Sequence, residues 1–225
     1  MYIVHCPCPH YVTHPNTMRL ALFASGGGTN CQAIIDAVED GSLDATIVCC
    51  IADRSSAGAL NRATAHDIPT QVVSPNEHRA TDKFASSMLE ALATHGVDFV
   101  ALAGYLTKIP DAVVSAFRNR MLNVHPSLLP AFGGKGMYGR HVHRAAIEYG
   151  VRWSGVTIHV VDETYDHGPI VLQEPVPVHP DDTPETLADR IHPVEHRLYP
   201  HALQLFASGG VDIDGRRVLL PDSIS

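Results

Sequence analysis

Short apolar strands alternate with amphipathic helices along residues 18–125, and this alternation is the feature that most restricts the fold. The predicted strands are 19–24, 43–52, 71–73, 97–103 and 120–124, and the predicted helices are 31–40, 57–66, 75–95 and 110–119. Parallel strands need long crossovers, which are right-handed and usually contain a helix that covers one face of the sheet. The sequence therefore predicts an α/β fold with a doubly wound, mostly parallel sheet and helices on both faces.

The last hundred residues continue the pattern less regularly. They predict a helix over 141–149, strands over 153–161 and 170–178, a helical region over 183–209 and an edge strand over 216–220. Pro193 and Pro200 fall inside the helical region. A proline inside a helix costs about 3 kcal/mol, so we expect two or three shorter pieces there.

Composition bounds the size and the partners of the protein. The chain has 225 residues, of which 45% are hydrophobic and 18% charged, so it can bury a core for one domain but not for a second large one. A formal net charge of -8 disfavours nucleic acid and anionic membranes as partners, whereas a small phosphorylated substrate is compatible with it. A monomer and a homodimer both fit these numbers, and no apolar run approaches membrane-spanning length.

The cysteines and the N-terminal segment bear on compartment and domain organisation. The five cysteines are Cys6, Cys8, Cys31, Cys49 and Cys50. They form no C-x-x-C motif and no paired framework, which favours a reducing, cytoplasmic setting. Residues 1–17 are rich in proline and histidine and lack the apolar centre of a signal peptide. We expect a disordered leader or an upstream start codon there, with a Cys/His metal clip as the alternative, and a single domain over residues 18–225.

A glycine-rich turn, Ser25-Gly-Gly-Gly-Thr-Asn30, joins the first strand to the first helix. The backbone N–H groups of such a turn and of the helix N-terminus form a cradle for an anion, and Thr29 and Asn30 can cap the helix and contact the ligand. Cys31 stands where a dinucleotide fingerprint has its third small residue, so the turn fits one phosphate group better than NAD. Asp53, after the second strand, keeps an NAD-dependent oxidoreductase as one alternative, and a plain turn without a ligand is the other.

Asn123 and His125 lie at the end of the fifth predicted strand, in the run Asn123-Val-His-Pro-Ser-Leu-Leu-Pro130. Side chains alternate along a strand, so both point to the same face, and Pro126 ends the strand at the carboxyl edge where such sheets bind ligands. An amide donor beside a titratable imidazole suits the oxyanion of a carbonyl carbon under attack. The alternative is that both side chains only hydrogen-bond a turn.

Other segments are predicted to border this site. The loop 131–140 contains four glycines and looks like a mobile flap. The loop 162–166 places carboxylates between two strands, where one can act as a general base or orient a histidine. Arg79 lies in the first turn of a predicted helix, where the helix dipole disfavours a cation, which makes it a candidate ligand contact. His141 and His143 do not share a helix face, so no metal site is expected.

The turn 25–30, the run 123–130 and the segment Gly155-Val-Thr-Ile-His-Val-Val-Asp-Glu-Thr-Tyr-Asp-His-Gly-Pro-Ile170 occur in a specific order and spacing. Together they resemble the folate-dependent formyltransferases over nearly all of residues 18–220, and Glu195-His-Arg-Leu-Tyr-Pro200 fits the C-terminal signature of that family. The resemblance implies a Rossmann-like fold and transfer of a formyl group from 10-formyltetrahydrofolate, as co-substrate, to the amine of 5'-phosphoribosylglycinamide in de novo purine synthesis. No metal or nicotinamide is then needed.

The resemblance also assigns residues. Asn123, His125 and Asp166 would be catalytic. Gly28, Thr29, Asn30 and Glu195 would bind the ribonucleotide with its phosphate. The folate would contact Arg79, Leu106, Thr107, Lys108, Ile109, Asn123, Asp162, Glu163, Thr164, Tyr165 and Asp166. In the implied chemistry the amine attacks the formyl carbon, Asn123 and protonated His125 stabilise the oxyanion, and Asp166 helps to move the amine proton. We expect Asp166 to raise the pKa of His125, which favours the protonated ring.

Related activities and departures from the family pattern qualify this assignment. A formyltetrahydrofolate deformylase would use the same residues on water, and an N-formyltransferase would use them on another amine, such as that of a sugar nucleotide. A methionyl-tRNA formyltransferase would need a basic C-terminal domain, which the length and charge disfavour. The departures are the longer flap 131–140, Thr107 where many members carry arginine, Asp53-Arg54 in place of Asn-Lys, and Pro193 just before Glu195.

Overall fold

The structure is a computed structural model that describes residues 17–76 and 81–220. The strands of this part of the chain are Met18–Ala24 (β1), Ala45–Ala52 (β2), Thr70–Val72 (β3), Phe99–Leu102 (β4), Met121–His125 (β5), Trp153–Val160 (β6), Ile170–Pro177 (β7), Asp212–Asp214 (β8) and Arg217–Leu219 (β9). Its helices are Thr29–Glu39 (α1), Gly58–Ala65 (α2), Thr81–Thr94 (α3), Asp111–Ala116 (α4), Arg140–Tyr149 (α5) and Pro184–Ala207 (α6).

Seven strands form one sheet in the order β3-β2-β1-β4-β5-β6-β7. Strands β1 to β5 pair in parallel, and β6 and β7 are added antiparallel at one side. The predicted doubly wound, mostly parallel sheet is therefore confirmed. The chain runs outward from β1 to β3 and returns to the other side of β1 with β4, and this reversal is where open α/β sheets form a ligand crevice at their carboxyl edge.

Hydrophobic side chains pack on both faces of the sheet. One cluster packs α1 and α6 against one face and includes Leu22, Ile34 and Tyr199, while the other packs α3 and α4 against the opposite face and includes Phe23 and Met88. Successive residues of β1 enter different clusters, as expected for a strand that is covered on both sides. The sheet is therefore packed on both faces.

The C-terminal helix contradicts the expectation of shorter pieces. α6 is one helix of 24 residues that includes Pro193 and Pro200. It starts with a capping box, in which Thr183 Oγ1 accepts the N–H of Thr186 and Thr186 Oγ1 accepts the N–H of Thr183. α6 packs against α1, α5 and the sheet and buries residues such as Ile191. This tertiary packing offsets the local cost of the prolines.

Two further element predictions are corrected. The helix predicted from residue 75 does not start there, because Pro75 and Asn76 form a turn in which the Asn76 N–H donates to Ser74 Oγ, and α3 is described from Thr81 onward. The strand predicted over 216–220 pairs with β8 as a separate two-stranded sheet and does not extend the main sheet. The predicted leader, apart from Thr17, lies outside the described residues. Within the described ranges, no helix has both the length and the apolar character needed to span a bilayer.

Candidate active site

A cleft of about 660 Å³ opens at the carboxyl edge of the sheet, beside the ends of β1, β4 and β5. Its walls come from the glycine turn, the segment 102–109, the flap, the loop 161–166 and α6. The predicted site residues that line it are Gly28, Thr29, Asn30, Leu106, Thr107, Lys108, Ile109, Asn123, His125, Asp162, Glu163, Thr164, Tyr165, Asp166 and Glu195. The structure thus brings all of them together except Arg79, which lies outside the described residues.

Asn123 and His125 point to the same face of β5, and the antiparallel partner β6 sets His159 opposite Asn123. His159 Nδ1 lies 2.9 Å from the Val160 carbonyl oxygen, and His159 Nε2 lies 3.0 Å from Asn123 Nδ2. Because a carbonyl only accepts, His159 Nδ1 donates to Val160, and His159 Nε2 faces the Asn123 amide. The amide carries a second N–H, which a ligand can use.

Asp166 faces both histidines of this cluster. Its Oδ2 lies 3.5 Å from His125 Nδ1 and its Oδ1 lies 3.7 Å from His159 Nε2, which are long for hydrogen bonds. The Gly134 N–H donates to Asp166 Oδ2 at 2.8 Å. On the other side of its ring, His125 Nε2 donates to the Phe132 carbonyl oxygen at 2.9 Å. The cluster is therefore held by two hydrogen bonds to the flap, and the Asp166 carboxylate faces both rings.

The pKa values of His125 and Asp166 separate their roles. Burial lowers the pKa of His125, and it outweighs the raising effects of Asp166 and of the Phe132 carbonyl, while His159 lowers it further. The expected net rise is therefore wrong, because a ring that is only 3% exposed loses the hydration that its cation needs. For Asp166, burial acts to raise the pKa, but His159, His125 and the Gly134 N–H together lower it. Asp166 is the ionised member of the pair.

The backbone of the flap and of the Asp166 loop is unusual at the site. Phe132 and Asp166 both have left-handed backbones, with φ of 55° and 53°. Aspartate tolerates this region, but an aromatic residue rarely adopts it, and at Phe132 it accompanies the carbonyl contact with His125. A Cβ on Gly133 would lie 2.6 Å from Leu129 Cδ2 and 3.2 Å from Asp166 Cβ, so a larger residue would displace the Leu129 side chain and crowd Asp166.

The glycine turn leaves the start of α1 uncovered. Gly28 is the N-cap residue with a left-handed backbone, and no side chain caps the helix. The expectation that Thr29 and Asn30 act as caps is wrong, because both already lie within the first helical turn. The first N–H groups of α1 are therefore available to an anion. A Cβ on Gly28 would lie 2.6 Å from Ala59, so close packing against α2 also requires glycine there.

Glu195 closes this end of the cleft from α6. It is 6% exposed and accepts Asn30 Nδ2 at 2.9 Å, while Asn30 Oδ1 is buried without a hydrogen-bond partner. Burial raises the pKa of Glu195, against smaller lowering effects of Asn30 and His192. A carboxyl group with a raised pKa next to a free acceptor and a helix N-terminus suits a polar, anionic ligand.

Sequence reasoning assigned no role to three histidines that line the cleft: His143, His159 and His192. His159 is set by the β5–β6 register, which its own segment does not reveal. His143 is 2% exposed, and burial, helped by His192 and His125, lowers its pKa to about 4. Within the described residues, no group of three or more His, Cys, Asp or Glu side chains is arranged to hold a metal ion.

Residues 18–203 match the family described as formyl transferase. The chloroplastic phosphoribosylglycinamide formyltransferase of Arabidopsis thaliana is 45% identical over 186 residues, which are 82% of this chain and 64% of that protein. The chain thus spans less than two thirds of this plant relative. The phosphoribosylglycinamide formyltransferase of Bacillus subtilis (strain 168) is 37% identical over 186 residues, which are 83% of this chain and 93% of that protein.

Solved structures agree with the sequence comparison. Glycinamide ribonucleotide transformylase 1 from Symbiobacterium toebii superimposes with a TM-score of 0.88 at 41% identity, over 93% of this chain and 96% of that chain. On these grounds the chain belongs to the formyl transferase family.

Proposed function

We propose that this protein transfers a formyl group from 10-formyltetrahydrofolate to the amine of 5'-phosphoribosylglycinamide, the step of de novo purine synthesis for which its relatives are named. The observation that carries the proposal is one cleft that combines an uncapped helix N-terminus with the cluster of Asn123, His125 and Asp166. The first feature suits the substrate phosphate, and the second suits an acyl group passing through an oxyanion.

The geometry gives each member of the cluster a role. The substrate nitrogen attacks the formyl carbon, the new C–N bond forms, and the formyl oxygen becomes an oxyanion that accepts an Asn123 N–H. Asp166 accepts the proton that the amine loses and shares it with the unprotonated Nδ1 of His125, 3.5 Å away, so that the positive charge developing on the ring stabilises the oxyanion. The bond from the formyl carbon to the folate nitrogen then breaks, and the proton lost by the amine is passed by Asp166 to that nitrogen.

The lowered pKa of Asp166 supports its role as the base. A carboxyl group that stays ionised at neutral pH can accept the amine proton and stabilise a cation on the nearby His125 ring. The lowered pKa of His125 means that the ring is neutral until negative charge forms beside it, so the proton that the ring then takes up stabilises the intermediate more than the ground state.

The second substrate is proposed to lie between two loops. Leu106 and Tyr165 line the cleft and are 44% and 41% exposed, which is unusual for large apolar side chains and offers a surface to a planar ring system. We place the folate against them and the neighbouring Thr107, Lys108 and Ile109, and along the loop 162–166. The ribonucleotide is assigned to Gly28, Thr29, Asn30 and Glu195.

Formyl loss from 10-formyltetrahydrofolate, followed by absorbance with and without the ribonucleotide, tests the proposal. We expect turnover only when 5'-phosphoribosylglycinamide is present, and a KM at least ~10-fold higher for the same compound without its phosphate. Formate release without an amine would instead identify a deformylase. Turnover only with a different amine, such as that of a sugar nucleotide, would identify another N-formyltransferase.

The cellular setting is part of the same proposal. We infer that the enzyme works in a reducing compartment such as the cytoplasm on small-molecule substrates, as a monomer or a homodimer. Cys31, Cys49 and Cys50 support the compartment, since all three are buried and free.

A further inference from the structure

A second polar cluster lies at the carboxyl end of β2, centred on Asp53. The carboxylate is 4% exposed. Its Oδ2 accepts the hydroxyl of Ser25 at 2.8 Å and that of Thr107 at 2.7 Å. Arg54 donates from Nε to Oδ1 at 2.8 Å and from a terminal nitrogen to Oδ2 at 3.0 Å. One buried carboxylate thus accepts four hydrogen bonds from three segments of the chain.

Ser25 extends this cluster into the backbone of a neighbouring loop. The Leu106 N–H donates to Ser25 Oγ at 2.8 Å, and the Ser25 N–H donates to the Gly104 carbonyl oxygen at 3.0 Å. Asp53 therefore holds Thr107 directly and Leu106 through the Ser25 hydroxyl. Two direct hydrogen bonds therefore join the segment 104–107 to Ser25, the first residue of the glycine turn, and a third connection runs from Ser25 through Asp53 to Thr107.

Asp53 is not placed as a ligand of a dinucleotide ribose. Its acceptor sites are occupied by protein donors, and it is not among the described residues that line the cleft. Burial acts to raise the pKa of Asp53, but the hydrogen bonds from Arg54, Thr107 and Ser25 lower it, so the group is ionised. The oxidoreductase alternative loses the residue on which it depended.

We propose that Asp53 is a positioning residue that fixes the distance between the phosphate turn 25–30 and the folate-side loop 104–107, an inference that rests on the proposed function. The turn and the loop belong to the subsites of two different substrates. Transfer between two bound molecules needs the reacting atoms about 3–3.5 Å apart, and a 1 Å misplacement costs up to ~100-fold in rate. A shared carboxylate sets this separation independently of either substrate alone.

The chain offers variants that separate this role from simple stability. Thr107→Val keeps the shape of the side chain and removes only its hydroxyl, whereas Thr107→Ser keeps the hydroxyl. Asp53→Asn turns one donor group toward Arg54 or toward the hydroxyls, so the four bonds cannot all persist. Asp182→Asn is the matched control, because Asp182 is a carboxylate with a side chain 3% exposed that also accepts arginine and threonine donors, outside the cleft.

The test measures kcat with both substrates saturating, the Kd of each substrate alone, and hydrogen exchange of the Leu106 amide. For Asp53→Asn and Thr107→Val we expect kcat at least ~10-fold lower, each Kd within about 3-fold of wild type, and faster Leu106 exchange. Asp182→Asn should keep the wild-type kcat, and Thr107→Ser, which retains the hydroxyl, should lose less kcat than Thr107→Val. The variant that combines Asp53→Asn with Thr107→Val should lose less kcat than the product of the two single fold-losses, because both substitutions act on the same connection.

Other outcomes overturn the inference. If kcat in Thr107→Val and Asp53→Asn equals that of Asp182→Asn, the cluster is only structural. If the affinity for the substrates falls by as large a factor as kcat, Asp53 contributes to ground-state binding instead. Failure of the proposed function would appear in the wild-type enzyme, as no turnover with the ribonucleotide. Leu106 exchange then decides on the connection itself: faster exchange in Asp53→Asn supports it, and unchanged exchange refutes it.

Discussion

Asp166, which is partly buried, and Glu195, which is buried, are carboxyl groups of the same cleft, and their surroundings shift their pKa values in opposite directions. Burial acts to raise both pKa values. Asp166 is surrounded by two histidines and the Gly134 N–H, which reverse the effect of burial. Glu195 has the neutral Asn30 amide as its hydrogen-bond donor, and burial prevails there. Glu195 is also the more deeply buried of the two, so partners and depth together decide which carboxyl group is charged.

The contrast divides the cleft into two chemical ends. The Asp166 end holds a fixed negative charge beside two imidazoles, which suits proton transfer during the reaction. The Glu195 end holds a carboxyl group that takes up a proton more readily, beside the uncapped start of α1, which suits an anion. If this contrast is right, removing the charge of Asp166 should impair turnover. Removing the carboxyl group of Glu195 should change ribonucleotide binding only modestly.

Asp166→Asn should have the largest effect. The amide cannot accept the amine proton or stabilise a cation on His125, so we expect kcat to fall about 10²–10⁴-fold while the KM of each substrate changes less than about 3-fold. Steady-state kinetics of the variant measure both values. Asp98→Asn is the control, because Asp98 is an exposed carboxylate that precedes β4, at the opposite edge of the sheet. Comparable losses in kcat and in affinity would contradict the role of Asp166 as a base.

Glu195→Gln should have a smaller effect, on binding. The amide keeps an oxygen for Asn30 Nδ2 but has no charge to repel a phosphate as the pH rises. We expect the Kd of the ribonucleotide to rise less with pH in the variant than in the wild type, with at most ~3-fold tighter binding by the variant at pH 8 and little change in kcat. Titration calorimetry at pH 6, 7 and 8 measures this. A kcat loss as large as that of Asp166→Asn would break the comparison.

Much of this arrangement could be predicted from the sequence, because it depends on local patterns. The alternation of strands and helices predicted the sheet, and the period-2 spacing of Asn123 and His125 placed both side chains on one face. The glycine turn predicted a cradle of backbone N–H groups at the helix N-terminus, although the predicted capping by Thr29 and Asn30 is wrong. Each of these follows from residues that are close together in the chain.

What the sequence did not predict depends on contacts between distant segments. The pKa of His125 falls because the flap and the sheet bury its ring, and burial is a property of the folded chain. His159 reaches Asn123 only through the β5–β6 register. The continuity of α6 through Pro193 and Pro200 likewise depends on tertiary packing, which outweighs helix propensity. These errors share one cause, the absence of long-range information in local sequence.

The two carboxyl groups should also affect stability with opposite signs. A group with a lowered pKa stabilises the folded state above its unfolded pKa, and this contribution is lost as the pH falls through its folded pKa. A group with a raised pKa costs stability as the pH rises from its unfolded pKa through its folded pKa. At pH 8, Glu195→Gln should therefore melt above the wild type and Asp166→Asn below it, with both differences shrinking toward pH 4. Thermal unfolding across this range measures them, and shifts of the same sign would contradict the contrast.

The smallest expected effect concerns His143, which is influenced by His125 at one end of the cleft and by His192 at the other. Its folded pKa of about 4 lies below the usual unfolded value of about 6.5, so the unfolded state takes up the proton first as the pH falls. Stability should fall between these two pH values, and His143→Gln should reduce that fall. Urea unfolding at pH 7 and pH 5 measures the difference, with His141→Gln, an exposed histidine of the same helix, as the control. If the free energy of unfolding changes equally between pH 7 and pH 5 in both variants, His143 is hydrated and can be charged in the folded state. The two ends of the cleft are then not separated by a neutral ring.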